Sequence, residues 1–241
     1  RLLAFSVDTA VEEHGPHLPL AKDTVQSYGV LTQLSQEYED VTIAHPLEYG
    51  QLTWGLPFGF SIDLTAGLLS RYVTGYVNAL IQWKRPTAIY VVDVHGSSVH
   101  RGAIVKGLES SRCSTWSFRW LHEPLAEFAS QRGDQHAGGV ETALVEFICP
   151  ELVDSDLFPR QLERLAEHQM PFDQAVELSS DLTAFDRVVD QHGFNGIIGD
   201  LRNYHQLDAN DLFSRMMRTA RADVEALLTG KTTTDAGGKL W

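Results

Sequence analysis

The fold of this chain is indicated most clearly by residues 87–94, which read TAIYVVDV. The stretch is rich in β-branched residues and almost free of polar ones, as is typical of a central strand in a parallel sheet. It leads directly into the turn His95-Gly96-Ser97-Ser98. Because ligands of open α/β sheets bind beyond the carboxyl ends of strands, we expect His95 to belong to a functional site.

Strand and helix patterns alternate on both sides of this stretch. Three further segments predict buried strands: residues 2–7, 41–44 and 115–120. Helical periodicity marks four segments: residues 24–39, 64–83, 139–148 and 210–228. Such alternation predicts an α/β fold with a mostly parallel central sheet. From the length of the chain we expect one domain over residues 1–230, followed by a C-terminal tail at residues 231–241.

Composition and charge narrow the classes of partner. The chain has 241 residues, of which 43% are hydrophobic, and a formal net charge of −13. This acidity, without a visible basic stripe, argues against nucleic acid or an anionic membrane as a partner. No apolar run reaches the ~20 residues that span a bilayer. We therefore expect a small-molecule substrate, and two isolated cysteines, Cys113 and Cys149, favour a reducing, cytoplasmic location.

Residues 12–24, which read EEHGPHLPLAKDT, combine metal-ligand side chains with turn formers. Glu12 and His14 are two positions apart, so they point to the same side of an extended strand end. One glycine and two prolines within residues 15–19 fold the chain back, which can bring Asp23 beside them. Such a segment is poor core material, and it predicts a metal site at the rim of the sheet.

Two later segments supply further candidate ligands. His95 follows the central strand, and His136 and Glu141 flank the start of a predicted helix. Nitrogen and oxygen ligands without sulfur suit zinc, manganese or iron. The carboxylates are numerous enough for one or two divalent ions, with Asp23 as the natural bridge. Two ions ~3.5–4 Å apart polarise a carbonyl and lower the pKa of a water molecule.

Each of these residues also has a structural interpretation. Asp23 alone could be a helix N-cap, and Glu141 alone could be a carboxylate that favours the helix dipole. His95 alone could be a packed histidine. Trp54 and Phe58, in the long loop before the second helix, could line a pocket or form a loop core. The metal-site hypothesis is favoured because all the candidate ligands fall in turns or helix starts of one α/β frame.

The first segment resembles the signature of the creatininase family of metal-dependent amidohydrolases, EQHGPHLP followed by an aspartate at a helix start. Residues 93–98, DVHGSS, resemble the family turn NGHGGN, and residues 136–142, HAGGVET, resemble HAGxxET. The resemblance spans most of the chain. It implies a creatininase-like three-layer α/β/α sandwich and a homo-oligomer, for which a hexamer is the best-known form.

The resemblance also implies a set of metal ligands. Glu12, Asp23 and His95 would hold one ion, and His14 and Asp23 would hold a second. The ions would be zinc, manganese or iron, and the substrate a small molecule.

Departures from the family pattern affect both the ligands and the substrate. The family has a glutamate two residues after the second-motif histidine, and this chain has Ser97 there. We expect Glu141 to replace that glutamate as a ligand and catalytic residue, and His136 to act as acid/base or to orient the substrate. Asp93 and Ser98 replace family asparagines, so creatinine itself is not the expected substrate.

These observations predict a metal-dependent hydrolase that cleaves a carbon–nitrogen bond of a small cyclic amide or formamide through a metal-activated water. Three alternatives stay open. The same scaffold could open a lactone or keto-polyol ring, it could cleave a peptide, or the chain could be a non-catalytic family member.

Overall fold

The computed structural model of the protein describes residues 1–154, 165, 167–202 and 204–230. Within them, four strands form one parallel sheet in the order β2-β1-β3-β4. The strands are β1 Leu2–Ser6, β2 Val41–Ile43, β3 Ala88–Asp93 and β4 Trp116–Trp120. The predicted parallel sheet, with residues 87–94 at its centre, is therefore confirmed. The predicted tail at residues 231–241 lies outside the described residues.

Eight α-helices are described around the sheet. They are α1 Lys22–Glu37, α2 Ala66–Lys84, α3 Ser98–Glu109, α4 Ala126–Gln131, α5 Gly139–Ile148, α6 Phe172–Leu178, α7 Leu182–His192 and α8 Ala209–Leu228. Short 3-10 helices occupy Thr53–Phe58, Glu123–Leu125, Pro150–Leu152 and Tyr204–Gln206. None of the described helices combines the length and the apolar character that crossing a bilayer requires.

Helices cover both faces of the sheet, which gives three layers. Alternate residues of a strand point to opposite faces, and all six residues of β3 are buried. Tyr90 and Val92 pack with α1, α5 and α8 on one face, whereas Ile89 and Val91 pack with α2 and α3 on the other. Full burial of such a side chain contributes about 1.5–3 kcal/mol. The expected α/β/α sandwich follows from this two-sided apolar strand.

The last helix is joined to the sheet edge by a charged contact. The Arg119 guanidinium of β4 donates from Nε and Nη2 to the two carboxylate oxygens of Asp223 in α8, at 2.7 and 2.8 Å. The Tyr90 hydroxyl donates to the same carboxylate at 3.1 Å. The contact holds α8 against β3 and β4, on the face that α1 and α5 also cover.

The topology places two loops at the end of the sheet where the strands finish. Strands β1 and β3 are parallel neighbours, with Ser6 opposite Val92, so the chain leaves both strands at the same end. Gly15 has a φ of 71° in the first loop, and Gly96 has a φ of 76° in the second. Both are left-handed conformations that glycine adopts without steric cost. These turns return the chain towards the sheet and bring the two candidate ligand segments together.

The N-cap interpretation of Asp23 is wrong. Helix α1 begins at Lys22, its N-cap residue is Ala21, and no side chain caps its first turn. Asp23 is the second residue of the helix and is fully buried. Its carboxylate is therefore turned into the protein, towards the carboxyl ends of β1 and β3, where the two loops meet.

Candidate metal centre

Glu12, Asp23 and His95 converge in the interior as the sequence predicts. The Nδ1 atom of His95 lies 2.9 Å from Glu12 Oε2 and 3.8 Å from Asp23 Oδ2. One ligand atom from each residue lies within 4.8 Å of the other two, which is a spacing that a single ion could bridge. Glu12 and Asp23 are buried, with 1% and 0% of their surface exposed.

Main-chain contacts fix the orientation of both candidate histidine ligands. His95 Nε2 lies 3.0 Å from the main-chain oxygen of Gln51, and His14 Nδ1 lies 3.0 Å from that of Glu12. A carbonyl oxygen only accepts, so each of these ring nitrogens carries the hydrogen. The other nitrogen of each ring faces carboxylate oxygens. A carbonyl on the far ring nitrogen is the usual support of a histidine that binds a metal.

The donor set fits a divalent ion. It consists of imidazole nitrogen and carboxylate oxygen, which suits zinc, manganese or iron. Within the described part of the chain, Glu12 Oε1 is buried and has no hydrogen-bond partner. A buried carboxylate oxygen without a partner is costly unless a cation neutralises it. The arrangement therefore favours a cation beside Glu12.

His14, Asp23 and Glu141 form a second group whose ligand atoms also lie within 4.8 Å of one another. His14 Nε2 is 3.8 Å from Asp23 Oδ1. The ammonium of Lys22 lies between the two carboxylates, with Nζ 2.5 Å from Asp23 Oδ1 and 2.5 Å from Glu141 Oε1. Lys22 carries no motif signal of its own, so the sequence alone does not indicate its role.

His136 forms a third group with Glu12 and His14, whose ligand atoms also lie within 4.8 Å of one another. Its Nε2–H donates to the main-chain oxygen of Glu13 at 2.7 Å, and its Nδ1 lies 3.9 Å from Glu12 Oε1. Its ring centroid is 4.2 Å from that of His14 and 5.2 Å from that of Trp54. The structure thus brings together all six residues that the sequence nominated. Their roles as ligands or catalytic groups stay predictions.

Electrostatics favour a positive charge at His95. Burial opposes the charged imidazolium, but the carboxylates of Glu12 and Asp23 raise the pKa of His95 to about 10. Burial also opposes ionisation of Asp23, but the Lys22 ammonium holds the pKa of Asp23 well below its usual range. Burial, reinforced by Lys22, lowers the pKa of His14 to about 4, so His14 is neutral at pH 7. A metal ion at His95 would take the place of a proton.

Thr9 supports the first group and was also missed by the sequence analysis. Its hydroxyl is within hydrogen-bond distance of Glu12 Oε2, and it lies 2.6 Å from Asp23 Oδ2. The side chain is buried, with 1% exposed. A hydroxyl carries one hydrogen, so it donates to one of the two carboxylates at a time. The contact holds the two carboxylates side by side.

Replacing Thr9 with valine is expected to weaken metal binding about 10- to 100-fold, the usual effect of losing a residue that orients a ligand. Thr9→Ser keeps the hydroxyl and is expected to bind metal like the wild type. Titration calorimetry with Mn²⁺ on metal-free protein measures both. Equal affinity of the valine variant and the wild type would show that Thr9 does not position the carboxylates.

A cavity of about 510 Å³ opens onto these residues. Its wall includes Trp54, Trp120, His122 and Phe172. Trp54 therefore lines the pocket, whereas Phe58 packs against Phe185 at 5.4 Å between ring centroids in the loop core. The His122 Nε2–H donates to Gln26 Oε1 at 2.7 Å, and the His122 ring lies beside Glu141.

Comparison with known proteins identifies the family. Residues 9–223 match the family model described as Creatininase, creatinine amidohydrolase. The chain belongs to the creatininase family. The match includes every residue of the three candidate metal groups, and it confirms the resemblance inferred from the three motifs.

The similar proteins include both a peptidase and creatininases. It is 29% identical over 160 residues to a mycofactocin precursor peptide peptidase of Mycobacterium ulcerans, a match that spans 61% of this chain and 58% of that relative's length. A mutant creatininase of Zn-Zn type is 15% identical with a TM-score of 0.65, covering 93% of this chain and 90% of its own. A structure described as "Creatininase Mn" is 15% identical with a TM-score of 0.62, covering 92% and 90%. At these identities the two structures show the creatininase fold alone.

Proposed function

We propose that this member of the creatininase family is a divalent-metal-dependent hydrolase that cleaves an amide carbon–nitrogen bond. The observation that carries the proposal is the buried group of Glu12, Asp23 and His95, with the ring nitrogen of His95 turned towards both carboxylates. Zinc or manganese is favoured as the ion, because such forms are named among the similar creatininase structures. A bound ion would supply a Lewis acid and lower the pKa of a water molecule.

His136 is the residue best placed to handle the proton of the reaction. Its Nε2–H is committed to the main-chain oxygen of Glu13, which fixes the ring and leaves Nδ1 on the Glu12 side. An amide nitrogen departs readily only after it gains a proton. We assign to His136 Nδ1 the role of holding that proton and delivering it to the leaving nitrogen. The Trp54 ring packs against the His136 ring in a T-shaped contact and further fixes its position.

The shape of the site favours a peptide over a small cyclic amide as the substrate. A second cavity of about 460 Å³ shares Trp54, Gly96, Ser97 and Gln135 with the first, so the two lie side by side. Together they would hold an extended substrate more fully than a single small ring. The relative named as a peptide peptidase supports the same choice.

Arg101 gives the second cavity a positive charge. It lines that cavity and is buried, with 6% of its surface exposed. Its guanidinium lies 4.6 Å from the centroid of Trp120, and within the described residues its buried Nε has no hydrogen-bond partner. A guanidinium with an unused N–H donor suits a carboxylate, which it binds with two parallel hydrogen bonds. A short peptide with a free C-terminal carboxylate satisfies this requirement.

A panel of substrates tests the proposed function. Metal-loaded protein is offered a cyclic amide, a lactone and a short peptide, the peptide both with a free C-terminus and with an amidated one. We expect hydrolysis of the peptide, at least tenfold faster with the free carboxylate, and we expect Arg101→Met to remove that preference. Turnover confined to lactones would contradict carbon–nitrogen cleavage. Tight metal binding without any turnover would favour a non-catalytic family member.

A further inference from the structure

We propose that the Lys22 ammonium takes the place of a second metal ion, so that the chain binds one divalent ion, at Glu12, Asp23 and His95. The inference rests on the proposed function, because it requires that this first group binds an ion. It concerns the second group, His14, Asp23 and Glu141, whose ligand atoms are equally close together.

The carboxylate oxygens of the second group are already engaged. Glu141 Oε2 accepts a hydrogen bond from the main-chain nitrogen of Ala137 at 2.7 Å, which leaves Oε1 for a cation. Asp23 Oδ2 accepts from Thr9 and faces the first group, which leaves Oδ1. Both remaining oxygens lie 2.5 Å from Lys22 Nζ. A metal ion would need to be about 2.0–2.2 Å from the same two oxygens, so the ion and the ammonium exclude each other.

The Lys22 ammonium is shielded from solvent. Only 1% of its surface is exposed, and it lies in the first turn of α1, directly before Asp23. Its two ion-pair partners among the described residues are Asp23 and Glu141. Displacing the ammonium would leave a buried charge without a counter-ion, which is strongly unfavourable. The second position is therefore held by a cation that the chain itself supplies.

The first group differs in this respect. Across the described residues, no lysine or arginine nitrogen lies within 4 Å of Glu12. Glu12 Oε1 and Asp23 Oδ1 both lack a hydrogen bond, but Asp23 Oδ1 faces the Lys22 ammonium and Glu12 Oε1 faces no ammonium. Three carboxylates (Glu12, Asp23 and Glu141) against one ammonium leave two negative charges, which one divalent ion neutralises. A second ion would add two more positive charges beside Lys22. The third group, Glu12, His14 and His136, shares Glu12 with the first group, so the charge count supports a single ion beside Glu12.

The inference changes the expected role of Glu141. From the sequence, Glu141 was predicted to be a metal ligand, replacing the family glutamate whose position is occupied here by Ser97. In the proposed arrangement Glu141 is the counter-ion of Lys22 and does not contact the metal. Lys22 then acts as a fixed positive charge beside the single ion, where a second metal would otherwise lie.

Counting bound ions tests this inference without any activity assay. Protein stripped with a chelator is loaded with Mn²⁺, freed of excess, and analysed by mass spectrometry, with titration calorimetry as a second count. We expect about one ion for the wild type and about two for Lys22→Ala, which frees both carboxylates. Lys84→Ala, at an exposed lysine, is the matched control and is expected to bind one. Electron paramagnetic resonance should show a coupled manganese pair in Lys22→Ala alone.

A second variant covers the case in which Lys22→Ala does not fold. Glu141→Gln keeps the shape of the side chain and is expected to retain one ion, because Glu141 is not a ligand in this arrangement. Loss of the ion in Glu141→Gln would overturn the inference. So would two ions in the wild type, or one ion in a folded Lys22→Ala. Those results would leave the proposed function intact, whereas a wild type that binds no ion would contradict the proposed function as well.

Discussion

Replacing His95 with alanine is expected to abolish metal binding and to lower kcat/KM at least ~10³-fold while the protein stays folded. Its Nδ1 is the only imidazole nitrogen in the first group, 2.9 Å from Glu12 Oε2. Without it, two carboxylates alone would have to hold the ion. A loss of about 4 kcal/mol of transition-state stabilisation, the scale expected for a Lewis acid, corresponds to ~10³ in rate.

The control for this variant is His45→Ala. His45 is exposed, and its ring contacts the main chain of Pro46 rather than the metal centre. It should bind metal and turn over substrate like the wild type. Circular dichroism and thermal melting check the fold of both variants. A His95→Ala protein that keeps its metal and its turnover would show that His95 is not a ligand.

The second large effect is expected for Asp23→Asn, which should lose both the metal and stability. Asp23 faces His95 with one oxygen and Lys22 with the other. The change removes a ligand charge and also breaks a fully buried ion pair. Breaking such a pair typically costs about 3–5 kcal/mol, because the remaining charge stays buried. Urea unfolding of metal-free protein measures the second effect apart from the first.

The matched control is Asp211→Asn. Asp211 pairs with Arg215 at 2.6 Å on the surface of α8, where both side chains are more than a third exposed. An exposed helix pair of this kind contributes about 0.3–0.5 kcal/mol. We therefore expect Asp211→Asn to unfold at nearly the wild-type urea concentration. If metal-free Asp23→Asn were equally stable, the buried pair with Lys22 would not contribute to stability as described.

The fold was predictable because its signal is local. A nearly unbroken apolar run, rich in β-branched residues, at residues 87–94 is compatible with a strand buried on both faces and with little else. The ligand segments were predictable for a related reason. Glu12, His14 and His95 lie in turns directly after strands, and parallel neighbours place those turns at one edge of the sheet.

The contacts that complete the site were not predictable, because they join distant parts of the chain. Lys22 meets Glu141 across a separation of 119 residues, and nothing in the pattern around either residue indicates the pairing. A lysine in the first turn of an amphipathic helix usually reads as a solvated charge. Thr9 and His122 were missed for the same reason, since a buried hydroxyl or imidazole carries no distinctive spacing. The role of Asp23 as an N-cap was wrong because the chain enters α1 from the tight turn after Gly15.

The most direct measurement is a crystal structure of the protein soaked with Zn²⁺ or Mn²⁺, with anomalous diffraction to locate the ion. We expect one anomalous peak, bounded by Glu12, Asp23 and His95, and we expect Lys22 Nζ to lie between Asp23 and Glu141. A peak elsewhere in the chain, or no peak at saturating metal, would contradict the proposed metal centre.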